Sequence, residues 1–191
     1  MTVPEPLAAV PYQPDGRVIF ETPRLIARHL VAADADAMFA VYGDAGAMRW
    51  VGDGNPLERE RCVRWIDVTH RNYELYGYGM TALLDRATHD VAGFIGLVHP
   101  NGQREAEIKY ALRRDYWGRG LASEAATGML GYAAAVLGLD HVIATAAPEH
   151  VISHRVLSKA GLQRDGVRRN ADGSQTQMFA WRRAASGQND G

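Results

Sequence analysis

Asp115-Tyr116-Trp117-Gly118-Arg119-Gly120-Leu121-Ala122-Ser123-Glu124-Ala125 joins the end of an alternating, strand-like run to the start of a long apolar helix. A helix N-terminus exposes backbone N–H groups that have no partner inside the helix, and the aligned peptide dipoles add positive potential there. Glycines at alternating positions keep Cβ atoms out of the path of an approaching anion. Together these features make residues 117–122 a candidate cradle for a phosphate or pyrophosphate, with Arg119 able to add a charge-assisted contact. The plainer alternative is a tight strand-to-helix turn that holds no ligand, and spacing alone does not separate the two. A dinucleotide-binding loop has the same order of strand, glycines and helix, but Ser123 stands where its third glycine belongs. The first glycine also comes late in the chain, with a single strand–helix unit left after it. Gly-Lys-Ser/Thr never occurs, which argues against nucleotide hydrolysis.

Working outward, residues 105–112 alternate, with Ile108, Tyr110 and Leu112 on one face and Glu107, Lys109 and Ala111 on the other. The helix after the glycines covers about 122–137 and is ended by Gly138. A buried-type strand at 141–146 is broken by Pro148, a helix at 152–160 is stopped by Gly161, and 176–181 reads as a closing strand. Upstream, 24–30 reads as a first strand after the Thr22-Pro23 breaker. Asp34 then opens a helical pattern with Met38, Phe39 and Tyr42 on one face. A second helix at about 57–75 carries Cys62, Trp65, Ile66 and Thr69 on its apolar stripe, and 78–84 with 91–98 form a hairpin about a polar turn. The order β-α-α-β-β-β-α-β-α-β predicts an α/β fold, an α+β sandwich of helices on a mixed sheet. Residues 18–183 make one domain, residues 1–17, with four prolines, a flexible arm, and 184–191 a flexible tail.

At 191 residues, with 47% hydrophobic and 23% charged, the chain is long enough for one real core and wrong for disorder. A net charge of −1 and no long basic run argue against a nucleic-acid partner. No apolar stretch is long enough to span a bilayer. The basic residues are nearly all arginine, Lys109 and Lys159 being the only lysines. A single cysteine, Cys62, excludes an internal disulfide, and with no signal peptide it suits the reducing cytoplasm. The seven histidines show no metal-binding spacing. His150 and His154, at i and i+4, read as a surface pair rather than a ligand pair.

The run Glu107-Ile108-Lys109-Tyr110-Ala111-Leu112 through Tyr116-Trp117-Gly118-Arg119-Gly120-Leu121-Ala122-Ser123-Glu124-Ala125 resembles the acetyl-CoA motif of the GNAT acetyltransferase superfamily. More narrowly, it resembles the branch that includes the ribosomal-protein N-terminal acetyltransferases. That branch's second block is matched by Glu149-His150-Val151-Ile152-Ser153-His154-Arg155-Val156-Leu157-Ser158-Lys159-Ala160-Gly161-Leu162, and its opening by Glu21-Thr22-Pro23-Arg24-Leu25. Three ordered blocks cover roughly residues 20–182.

The resemblance implies the GNAT fold, in which a mixed, mostly antiparallel sheet flanked by helices splays between its fourth and fifth strands, here 105–112 and 141–146. It implies that acetyl-CoA is the cosubstrate. Its pyrophosphate would lie on the amides of Trp117, Gly118, Arg119, Gly120, Leu121 and Ala122, and its pantetheine arm between the splayed strands along Ile108 and Tyr110. Tyr110 reads more readily as plain sheet packing. Glu107 aligns with the family's candidate base, with Glu105 as a same-face backup; the alternative is a strand carboxylate paired with an arginine. Ser153 matches the hydroxyl used near the CoA sulfur, although a serine at a helix start is also a standard N-cap.

Two positions depart from the pattern. Asp115 replaces the usual Gln or Arg, and a carboxylate beside a pyrophosphate site is expected to point outward. His150 stands where the branch has an asparagine that bonds the pantetheine, which alters the geometry of that contact. The acceptor, a primary amine on a protein N-terminus or a small molecule, is expected against the first two helices and their loop, where Trp50, Asp53, Tyr73 and Tyr76 lie. The resemblance leaves room for a homodimer. A non-catalytic acyl-CoA-binding sensor is the alternative to the enzyme, and a nucleotide-dependent oxidoreductase a more distant one.

Overall fold

A computed structural model describes residues 15–52 and 54–184. Most of the expected arm and tail, and Asp53, lie outside the described residues. Eight strands form one open sheet in the order β1-β2-β3-β4-β5-β6-β8-β7. They are β1 (Val18–Glu21), β2 (Leu25–His29), β3 (Met80–Asp85), β4 (Val91–Val98), β5 (Glu107–Leu112), β6 (His141–Ala146), β7 (Gln163–Arg169) and β8 (Gln175–Arg182). The helices are α1 (Ala35–Tyr42), α2 (Ala45–Met48), α3 (Arg59–Tyr76), α4 (Leu121–Ala135) and α5 (Val151–Lys159). Every neighbouring pair of strands is antiparallel except β5 with β6, which run parallel.

Two apolar layers cover the sheet. On one face α4 buries Leu121, Ala125, Ala126, Met129, Leu130 and Ala133 against a cluster that includes Ile108, Leu112, Val142 and Phe179. On the other face Met38, Val41 and Tyr42 of α1 and Cys62 and Ile66 of α3 enclose Phe94 and Ala111. Strand β5 therefore alternates as its sequence pattern requires, Ile108 and Leu112 facing one layer and Ala111 the other.

Three elements differ from the sequence reading. The strand expected at 24–30 is β2, and a further strand, β1, precedes it across the Thr22-Pro23 turn: Thr22 N–H donates to Leu25 O at 2.9 Å, and Leu25 N–H returns to Thr22 Oγ1 at 3.0 Å. The splayed strands are consequently the fifth and sixth of the sheet. Strand β7 lacked any apolar alternation, and all seven of its residues are exposed. The short α2 is nucleated by Asp44, whose carboxylate accepts from Ala47 N–H at 2.7 Å. Within α1, Met38 and Tyr42 are buried as expected, whereas Phe39 is 42% exposed.

The head of α4 is pinned to the β1–β2 turn by one carboxylate. Glu124 accepts from Thr22 Oγ1 at 2.7 Å, Arg24 N–H at 2.9 Å and Arg24 Nε at 2.7 Å. Burial pushes the Glu124 carboxyl up, but these hydrogen bonds and the Arg24 charge outweigh it and hold the group below the usual carboxylate range. A carboxyl whose pKa is lowered by folding adds stability above its unfolded value, and loses it as pH falls through the folded one. Glu124→Gln is therefore expected to cost about 1–3 kcal/mol at pH 7. Denaturant titrations of variant and parent should converge in acid, below the carboxylate range.

Candidate active site

The sequence places two glycines before α4 because the chain must reverse there in a conformation L-residues avoid. Gly118 has φ of 74° and Gly120, the N-cap of α4, φ of 76°. A Cβ on Gly118 would meet nothing within 4 Å, so the space over this turn is open. Among the described residues, the first amide of α4 to reach a backbone carbonyl is that of Glu124, bonded to Gly120 O at 3.1 Å. The turn is braced from outside the open space: Trp117 Nε1 donates to Leu112 O at 2.8 Å, and Arg24 Nη1 to Arg119 O at 2.9 Å. The Arg119 guanidinium lies over the Tyr116 ring, 5.2 Å from its centroid. Asp115 points outward as expected, paired with Arg113 at 2.8 Å.

Beside this turn the sheet opens. Strands β5 and β6 share one register pair, Glu107 with Ile143, and Ile143 N–H donates to Ala106 O at 2.9 Å. Beyond that pair they part toward their C-terminal ends, and a cleft of about 1120 Å³ fills the gap. Ile108, Lys109 and Tyr110 line it from β5, Ala144, Thr145 and Ala146 from β6, His150 and Ser153 from the start of α5, and Trp50 and Trp65 from the helical side.

Ser153 lies inside α5 and is not its N-cap, a position His150 holds without a side-chain cap bond. Its hydroxyl instead meets Tyr110 OH at 2.7 Å. Burial raises the Tyr110 phenol to about 12, the Ser153 bond pulling the other way, so it stays protonated at neutral pH. Tyr110 is thus more than packing: its hydroxyl ties β5 to α5.

On the opposite face of β5, Glu107 is buried and its partner is a lysine, not an arginine. Glu107 Oε1 accepts from both Lys109 Nζ and Thr145 Oγ1, and Oε2 accepts from Gln103 Nε2 at 3.2 Å. Lys109 Nζ also donates to Thr145 Oγ1 at 2.9 Å. The carboxylate therefore stands behind two cleft-lining side chains rather than on the wall itself. Glu105 is exposed, just ahead of β5. Sequence reasoning set Lys109 on the Glu107 face but gave it no role, and it passed over Thr145, whose part depends on how β6 lies beside β5.

Trp50 stacks on His150, ring centroids 5.0 Å apart at 13°, across the helical side of the cleft. Tyr73 and Tyr76, expected near the acceptor, do not line it: Tyr73 packs edge-on against His29 in the interior, and Tyr76 lies against His99 and Tyr78. His150 and His154 are not a surface pair. His154 is buried; an arginine N–H can only donate, so Nδ1 accepts from Arg164 Nη2 at 3.3 Å, and Nε2–H donates to Ala147 O at 3.0 Å. Among the described residues no cluster of three or more His, Cys, Asp or Glu side chains is arranged to hold a metal ion. No helix among them is long and apolar enough to cross a membrane.

Comparison with known proteins gives the class: the chain is an acyltransferase and belongs to the GNAT acetyltransferase family, residues 24–163 matching its "Acetyltransferase (GNAT) domain". It is 32% identical over 153 residues to the uncharacterized N-acetyltransferase YoaA of Bacillus subtilis (strain 168), covering 79% of this chain and 86% of that protein. Among solved structures, the GNAT-family acetyltransferase of Bacillus anthracis aligns with a TM-score of 0.75 at 23% identity, covering 85% of this chain and 97% of that one. RimL, a ribosomal L7/L12 alpha-N-protein acetyltransferase solved with coenzyme A, aligns at a TM-score of 0.74 and 15% identity, covering 87% and 98%. At such identities the structures share the fold.

Burial, and next the nearby His154, hold the His150 imidazole below its ordinary range, so it is neutral at pH 7. Protonated imidazole quenches a stacked indole. Tryptophan fluorescence should fall on acidification with a midpoint below about 6.5, the ordinary histidine value. That component should vanish in His150→Gln; a midpoint at or above the ordinary value would contradict the assigned environment.

Proposed function

We propose that the chain transfers the acetyl group of acetyl-CoA to a primary amine, on a small molecule or a protein N-terminus, by direct attack within a ternary complex. The observation that carries this reading is a β5–β6 gap that opens toward the C-terminal end of β5, where Trp117 bonds Leu112 O and the chain runs into the head of α4, whose first amides reach no backbone carbonyl. A diphosphate suits those amides and the positive end of the helix dipole. An extended arm suits a gap in which two strand edges have lost their backbone partners.

When bound, the cosubstrate supplies a thioester carbonyl, and the chain's own residues do the rest. The amine must be neutral to attack; an α-amine has a pKa of roughly 8 and a lysine-type amine about 10.4, so the second needs more help. Glu107 is the candidate proton acceptor, reached through the Thr145 hydroxyl that bonds it and faces the cleft. The Tyr110–Ser153 hydroxyl pair remains protonated and can donate a hydrogen bond to the departing thiolate. His150, on the wall beside Ser153, offers one ring nitrogen to the arm.

The full set of partners on Glu107 also favours a second reading, an acyl-CoA-binding module that performs no transfer. Thiol release from acetyl-CoA in the presence of an amine panel separates the two. The enzyme reading expects release with at least one amine and a mass-identified acetyl product. CoA-dependent thermal stabilisation without thiol from any amine would favour the module. In the active case Glu107→Gln should lower turnover more at neutral than at high pH, where the amine deprotonates unaided. Equal loss at both pH values would remove the base role.

A further inference from the structure

Glu107 already holds an amine, and that amine belongs to the chain. Lys109 is one of two lysines in the whole sequence, and Lys159, the other, is exposed at the end of α5. The Lys109 side chain is 41% exposed and lines the cleft, while its Nζ is fixed by Glu107 and by Thr145. No other titratable group is hydrogen-bonded to that nitrogen among the described residues. Glu107 itself does not reach the cleft wall. A primary amine therefore stands between the candidate base and the space where an acceptor amine would come to rest.

We propose that Lys109 is a self-acetylation site, modified by an acyl-CoA thioester bound in its own cleft; this rests on the acetyltransferase reading above. Glu107 takes one proton from the Lys109 ammonium that it already bonds. The Nζ lone pair then forms an N–C bond to the thioester carbonyl. As the carbonyl is restored, the C–S bond breaks, its electron pair leaves with the CoA sulfur, and the second Nζ proton neutralises the thiolate. The product is an amide at Lys109 with one N–H and no charge. It no longer forms the ion pair with Glu107, so the modification alters the candidate base as well as the cleft wall.

The test incubates the full chain with acetyl-CoA and no added amine, follows acetylation of each lysine by peptide mass spectrometry, and measures CoA association by calorimetry in parallel. A cleft-held amine gains from proximity, so Lys109 should be labelled faster than Lys159 by more than about tenfold. That excess should disappear in heat-denatured protein, and Lys109→Arg, which keeps a cation for Glu107, should leave only the slow Lys159 label. If CoA associates but Lys109 is unlabelled, or labelled no faster than Lys159, the self-acetylation inference is overturned and the acetyltransferase reading stands. If CoA does not associate at all, both fall together.

Discussion

Everything in this structure that bears on chemistry depends on a pair of parallel strands that stop pairing. Strands β5 and β6 share the Glu107–Ile143 pair and then diverge. Unsatisfied strand edges are costly unless something else meets them. Here the gap is bridged by side chains on both faces. On one, Tyr110 of β5 reaches Ser153 of α5; on the other, Lys109 of β5 reaches Thr145 of β6, with Glu107 below both. Both strands end at the same edge of the sheet, so α4 and α5 follow from there, and the start of α5 lines the opening. One parallel step within an otherwise antiparallel sheet thus sets a cleft, a helix head and two hydroxyl-bearing bridges side by side.

The electrostatics follow from that arrangement. The negative charge in the first turn of α4, on Glu124, is met by Arg24 and by the Thr22 hydroxyl, which offsets it at the positive end of the helix. Asp115, the other nearby carboxylate, is taken outward by Arg113. At the cleft, Glu107 is buried behind the wall with a cation on it, and Tyr110, on the wall, is kept neutral by burial. The proposed diphosphate site at the head of α4 and the proposed base, Glu107, stand at opposite ends of β5.

Much of this was legible in the sequence, for identifiable reasons. Glycines at 118 and 120 before an apolar helix mark a tight strand-to-helix turn, and both take positive φ there. The alternation of 105–112 sorts Ile108 and Leu112 from Ala111 correctly, because period two is a property of the backbone and needs no tertiary context. What stayed hidden depends on contacts between distant residues. Strand β7 is an edge strand with exposed side chains throughout, bulged between Arg164 and Val167, and its hydrogen bonding comes from β8 alone. The burial of His154 depends on Arg164 and Phe179, which that pairing brings over it. Trp50 and Tyr73 look alike as aromatics in the first helical segments, yet one stacks on His150 at the cleft and the other packs against His29. The Lys109–Thr145 bridge joins residues 36 positions apart and exists only because β6 lies beside β5.

The central claim is that backbone amides at the head of α4 receive the diphosphate of CoA. An amide-resolved NMR titration of the isotopically labelled chain with CoA tests it most directly. The account predicts that the largest shifts, and new hydrogen-bond protection, fall on the amides of residues 118–122; the amide of Trp117, expected from the sequence to join them, is already taken by Arg114 O at 3.1 Å. Saturation with those amides unmoved, or with the response centred on another part of the molecule, would contradict it.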